Sequence, residues 1–122
     1  MSDDSREAGG AVDDAGTKEA LFWRLAEDLL RDPAVERGTM MGFPCLRVEG
    51  RFFVSIDPRS GDLVVKLPST RVEELISAGQ GRTFAPSGRP FREWVSIPQP
   101  SGNGWSALMA EALAFVAKGT PE

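Results

Sequence analysis

The sequence contains no histidine and no tyrosine, and it has a single cysteine. Without histidine, Ser-His-Asp triads, Cys-His pairs and histidine-ligated zinc are excluded within the chain. Cys45 has no second cysteine at C-x-x-C spacing, which removes dithiol redox chemistry and the usual thiolate metal sites, and a lone cysteine fits a reducing compartment. No apolar run approaches the roughly 20 residues needed to cross a bilayer. The start, MSDDSREAGG, is acidic and polar where a secretory leader is basic and then apolar. These absences predict a cytoplasmic chain with no membrane, metal or cofactor involvement, and they disfavour catalysis.

What is present is the composition of an ordinary globular domain, 41% hydrophobic and 26% charged, in a length of 122 residues that supports one core without disulfide staples. Residues 1–16 carry Asp3, Asp4, Glu7, Asp13 and Asp14 against Arg6, with three glycines and almost nothing apolar, and read as a disordered acidic tail. That tail holds the whole formal charge of −4, so the rest of the chain is close to neutral and its low pI says little about the domain surface. Residues 17–118 read as one domain and 119–122 as a short C-terminal tail.

The domain is organised around Thr39 to Leu67, three alternating apolar runs joined by Glu49-Gly50 and by Asp57-Pro58-Arg59-Ser60-Gly61, the pattern of an antiparallel meander. Period-two alternation puts Leu46, Val48, Phe52, Val54, Ile56, Leu63, Val65 and Leu67 on one face, the expected core. Before it, Leu21, Leu25 and Leu29 with Phe22, Ala26 and Leu30 recur at helical spacing, with Thr17 as the expected cap and Asp32-Pro33 as the stop. After it, Val72, Leu75 and Ile76 form the stripe of a short helix, with Thr70 and Glu73 at capping-box spacing and Gly79 at its end. Arg82 to Ala85 and Glu93 to Ile97 read as a second hairpin around Pro86-Ser87-Gly88-Arg89-Pro90. A last helix runs from Trp105 to Ala117, capped by Asn103. The predicted architecture is a two-layer α+β domain, a five-stranded antiparallel sheet with helices on one face, in the order α-β-β-β-α-β-β-α.

The Met41-Gly42-Phe43 turn into a strand, the Val48-Glu49-Gly50-Arg51-Phe52-Phe53 hairpin, the Leu63-Val64-Val65-Lys66 strand and the Trp94-Val95-Ser96-Ile97-Pro98 ending resemble the TfoX/Sxy N-terminal domain. That family is similar in fold to the YjbR/MmcQ-like proteins, and the likeness spans about residues 17–118. It implies a regulatory protein of the competence type, in a superfamily where DNA binding is often suggested and no enzyme activity is established. Its motifs are glycines, strand residues and a proline, which mark a fold and not a reaction. Phe43-Pro44 departs from the family's second glycine, and a competence role itself does not carry over.

The sheet face away from the helices is where function is expected. Phe43, Cys45, Phe53, Val64 and Trp94 fall there beside Arg47, Arg51 and Lys66, an apolar patch rimmed by charge that is either a partner or self-association surface or a face covered by a loop. Phe43, Arg47, Arg51, Phe53, Lys66 and Trp94 are the candidate contacts for a protein partner. The alternative is nucleic-acid contact through Arg47, Arg51, Arg82, Arg89 and Arg92, although the positive excess is smaller than in most nucleic-acid domains. A third reading is a small-molecule pocket between helix and sheet. Gly79-Gln80-Gly81 and Ser101-Gly102-Asn103-Gly104 match no phosphate loop, and the adjacent Glu73 and Glu74 point in different directions, so neither supplies a catalytic motif.

Overall fold

A computed structural model of the chain describes residues 14–86 and 88–118. Among these residues there are three helices, α1 (Asp14–Leu29), α2 (Ser69–Ser77) and α3 (Gly102–Ala117). They accompany one antiparallel sheet of six strands: β1 (Val35–Met40), β2 (Phe43–Val48), β3 (Arg51–Ile56), β4 (Leu63–Lys66), β5 (Arg82–Thr83) and β6 (Trp94–Ile97), in the spatial order β1-β2-β3-β4-β6-β5. The α+β class and the antiparallel sheet are as the sequence predicts; the strand count and element order are corrected, because β1 precedes the meander. Val-Glu-Arg-Gly-Thr-Met has one buried residue, Val35, and shows no apolar alternation, as suits a strand with a neighbour on one side only.

The acidic tail lies outside the described residues as far as residue 13, as do residues 119–122. Helix α1 already runs from Asp14, so Thr17 sits within its first turn and does not cap it. The helix ends at Leu29, three residues short of the expected Asp32-Pro33 stop; beyond it the Asp32 carboxylate accepts the Ala34 N–H at 2.9 Å and its carbonyl the Val35 N–H at 2.9 Å. Two-residue turns join β1 to β2 and β2 to β3. Met41 and Gly42 have φ of 53° and 82°, as do Glu49 and Gly50, which is the I′ geometry whose twist matches the strands it joins.

Helix α2 starts after Pro68 with no side-chain cap, so the expected Thr70–Glu73 box does not form, whereas Gly79, at φ 78°, closes its end. Helix α3 is capped by Ser101, whose Oγ accepts the Gly104 N–H at 3.0 Å, and Asn103 lies inside the first turn. Arg71 of α2 fixes the two helices together by a bidentate pair with Glu111 of α3 at 3.0 and 3.1 Å.

The main core lies between the helices and one sheet face. Phe22 and Ala26 of α1, Val72 and Leu75 of α2, and Trp105, Met109, Ala112 and Val116 of α3 close on Leu46, Val48, Val54, Ile56, Leu63, Val65 and Leu67. One expected member is replaced by its neighbour. Leu46 faces Val54 across the β2–β3 ladder but Arg47 faces Phe52, so Phe53 is an extra, unopposed residue. A bulge of this kind resets the alternation, and Phe53 turns into the helix-side core while Phe52 turns out.

Candidate binding groove on the outer sheet face

The outer face is not bare. The loop bounded by Phe84 and Phe91 brings both of these rings across it, the Phe91 N–H donating to the Phe84 carbonyl at 2.9 Å. Phe84, Phe43, Val64 and Trp94 form a second buried cluster, with Met40, Phe52 and Phe91 packed against it. The Phe84 ring lies 6.2 Å from Phe43, 5.7 Å from Phe91 and 6.5 Å from Trp94, the spacing of edge and tilted aromatic contacts. Phe43 and Trp94 therefore stand on the face the alternation predicts but are largely covered by this loop. Phe53, offered from the sequence as an exposed contact, is corrected to a fully buried core residue.

Beside the covered cluster, at the strand ends, a groove of about 420 Å³ runs from the outer face round to the end of the helix layer, lined by Met40, Gly50, Arg51, Phe52, Lys66, Glu93, Trp94, Phe115 and Val116. Four strands, a turn and a helix end build it. Strands β1 and β3 supply Met40 and Phe52, the Glu49-Gly50 turn brings up Arg51, β4 and β6 place Lys66 opposite Trp94 in the ladder, and the end of α3 closes one side. The Lys66 ammonium stands 5.9 Å over the Trp94 ring and 3.8 Å from a Glu93 carboxylate oxygen. Arg51 is exposed and makes no ion pair among the described residues; it pairs with the core residue Val48 in the ladder, so the bulge that turns Phe52 outward puts Arg51 on the helix side of the sheet and not on the outer face the alternation predicts, and it enters the groove from the strand end.

The other outer-face cations are tied down. Arg47 Nε lies 3.1 Å from Glu36, Arg59 pairs with Asp57 at 3.1 Å while standing 5.2 Å over the Phe43 ring, and Arg82 reaches Asp62 at 2.7 Å. Asp62 is buried and has Lys18 of α1 3.8 Å away on its other oxygen, so two cations hold one carboxylate. Burial pushes the Asp57 carboxyl up, but the bonds from the Arg59 side chain and backbone together outweigh it and hold the group below its ordinary value. Of the residues named from the sequence, the structure thus brings Arg51, Lys66 and Trp94 into one groove. It leaves Arg47 and Arg82 in pairs elsewhere, Arg89 on the covering loop and Arg92 just after it.

Cys45 is fully buried next to Ser55, and desolvation pushes its thiol up to about 11 against a weaker pull from the Arg47 charge. A thiol held protonated in this way is a poor nucleophile. The helix-to-sheet space expected to offer a small-molecule pocket holds a cleft of about 180 Å³ between α2 and the sheet, lined by Val72, Ile76, Thr83 and Phe91 among others. Among the described residues no three metal-ligating side chains cluster, and no helix is long and apolar enough to cross a membrane.

Sequence reasoning missed Met40, Phe52, Glu93 and Phe115. Met40 belongs to the strand that shows no alternation, Phe52 was displaced by the bulge, and Phe115 lies off the apolar stripe of α3. No family model, curated protein or solved structure matches the chain.

Proposed function

We propose that the chain is a cytoplasmic, non-catalytic regulatory module, of the kind its resemblance to the TfoX N-terminal domain implies, that binds a protein partner through the groove at the strand ends. One observation carries this reading: the groove joins an apolar floor of Met40, Phe52 and Trp94 to two cations, one of which has no acidic partner among the described residues. Aromatic and arginine side chains together are the usual anchors of protein interfaces. The test is affinity capture of cross-linked partners by the full chain, by Phe52→Ser and Lys66→Glu variants, and by a control variant, Arg24→Ser, at an exposed position of α1 away from the groove. Loss from the two groove variants alone, with each still folded at the assay temperature by circular dichroism, supports the reading. Equal capture by all of them removes it.

A second reading, nucleic-acid contact, is favoured by Arg51, Arg89 and Arg92, none of which forms an ion pair among the described residues. Fluorescence anisotropy with labelled duplex and single-stranded DNA tests it, since phosphate contact weakens steeply with added salt. Saturable binding lost in the Arg89→Ser/Arg92→Ser double variant supports it; no binding at low salt excludes it.

A further inference from the structure

Resting on the groove reading above, we infer that the groove's occupant is an extended segment of a partner protein that presents a carboxylate beside an aromatic or aliphatic side chain. The dimensions are those of a side-chain receptor. About 420 Å³ lies at the low end of the roughly 300–1,000 Å³ that ligand sites occupy, and the lining is apolar at its base and charged at its mouth.

Charge complementarity sets the sign of the occupant. Arg51 and Lys66 face one acid, Glu93, and that acid is 3.8 Å from Lys66 with both side chains partly exposed. An ion pair of that length and exposure contributes little, so an entering carboxylate displaces it readily. Arg51 gains its first acidic partner from the same event. Its planar fork suits a carboxylate held by two parallel hydrogen bonds, while the apolar neighbour of that carboxylate covers Phe52 and Trp94.

The distribution of the remaining cations argues for one carboxylate over a chain of phosphates. A nucleic-acid track needs a row of unpaired cations along the surface. Arg47, Arg59 and Arg82 are each held by an aspartate or glutamate at 3.1, 3.1 and 2.7 Å, and Arg37 of β1 stands 4.9 Å over the Trp23 ring, so among the described residues the strands carry no continuous row of unpaired cations.

The experiment is selection of a phage-displayed library of random peptides on the immobilised full chain, followed by affinity measurement of the selected peptides. The expected result is enrichment of Asp or Glu next to Phe, Trp, Leu or Met. Binding then falls about tenfold or more in Arg51→Glu and in Phe52→Ser, and by a similar factor when the peptide acid is changed to its amide. Enriched peptides that are basic or uncharged, yet lost with Phe52→Ser, overturn the acidic occupant and leave the groove reading standing. Binders indifferent to Phe52→Ser, or no enrichment at all, overturn both. Single-stranded DNA or a second copy of the chain that competes with the peptides and is itself lost in Arg51→Glu identifies a different occupant and also overturns the proposal. Arg51→Lys, which keeps the charge but not the fork, is expected to recover part of the affinity, and its unchanged melting curve separates lost contact from lost fold.

Discussion

Phe53 and Val54 are neighbours on β3, yet both side chains lie fully buried in the same helix-side core. Successive strand residues normally divide between two faces, and the irregularity opposite Leu46 and Arg47 is what lets these two share one. Truncating the two phenylalanines should therefore have unequal effects. Phe53→Ala is expected to cost about 3–5 kcal/mol, as removal of a buried aromatic does. Phe52→Ala, from a half-buried site, should cost clearly less. Urea midpoints of the two variants measure the difference, and similar losses would refute the assignment of faces.

The start of α3 makes a second contrast. Ser101 accepts the Gly104 N–H, whereas Asn103 is exposed and makes no side-chain hydrogen bond among the described residues. Ser101→Ala should lower stability by about 1 kcal/mol and Asn103→Ala by almost nothing. Thermal unfolding of both distinguishes this from a helix capped by asparagine.

The acid limb of stability should depend on Asp57. Its carboxyl is held below the ordinary 3.8 once it folds against Arg59, so between the two values the unfolded chain binds more protons than the folded one. The contribution is complete above the ordinary value and is lost as pH falls through the lower folded value. Melting temperature followed from neutral pH into this range should fall less steeply for Asp57→Asn than for the parent chain. Parallel curves would mean that the Arg59 bonds do not persist in solution.

Cys45 offers a chemical probe of opening. With the thiol fully buried and pushed up to about 11, little thiolate exists at neutral pH. Thiolate is the reacting species. A colorimetric thiol reagent should thus react slowly with the folded chain and promptly once denaturant is added. Prompt reaction of the native protein would place Cys45 at the surface.

How far the sequence revealed this fold can be seen in particular residues. Leu46, Val48, Val54, Ile56, Leu63, Val65 and Leu67 were legible because regular alternation reports burial directly. The bulge was not legible, since Phe52 and Phe53 are chemically identical and only the ladder decides which one faces inward. Strand β1 carries no hydrophobic signature; its evidence is the positive-φ pair Met41-Gly42, and methionine is an unusual residue for that geometry. Lys66 and Trp94 were assigned to one face correctly because both lie on regular strands paired with each other. The loop that covers Phe43 and Trp94 could not be placed by periodicity, which describes strands and helices and is silent on where a connection returns. Cap residues were misassigned at Thr17, Thr70 and Asn103, since several polar residues near each helix start have suitable side chains and backbone geometry selects among them.

Val64 and Val65 are adjacent on β4 and both fully buried, the first in the aromatic cluster and the second in the helix-side core. This strand is thus sealed from above and below, with β3 and β6 on its flanks. Its amide protons can meet solvent only when the domain opens as a whole, which makes β4 the slow-exchanging centre of the molecule. At the far side β1 has one neighbour and mostly exposed side chains, and it can fray at little cost. Because Met40 belongs to β1, one wall of the groove sits on an edge strand while another, Lys66, sits on a strand covered on both faces, so the site can widen on one side without loosening its base.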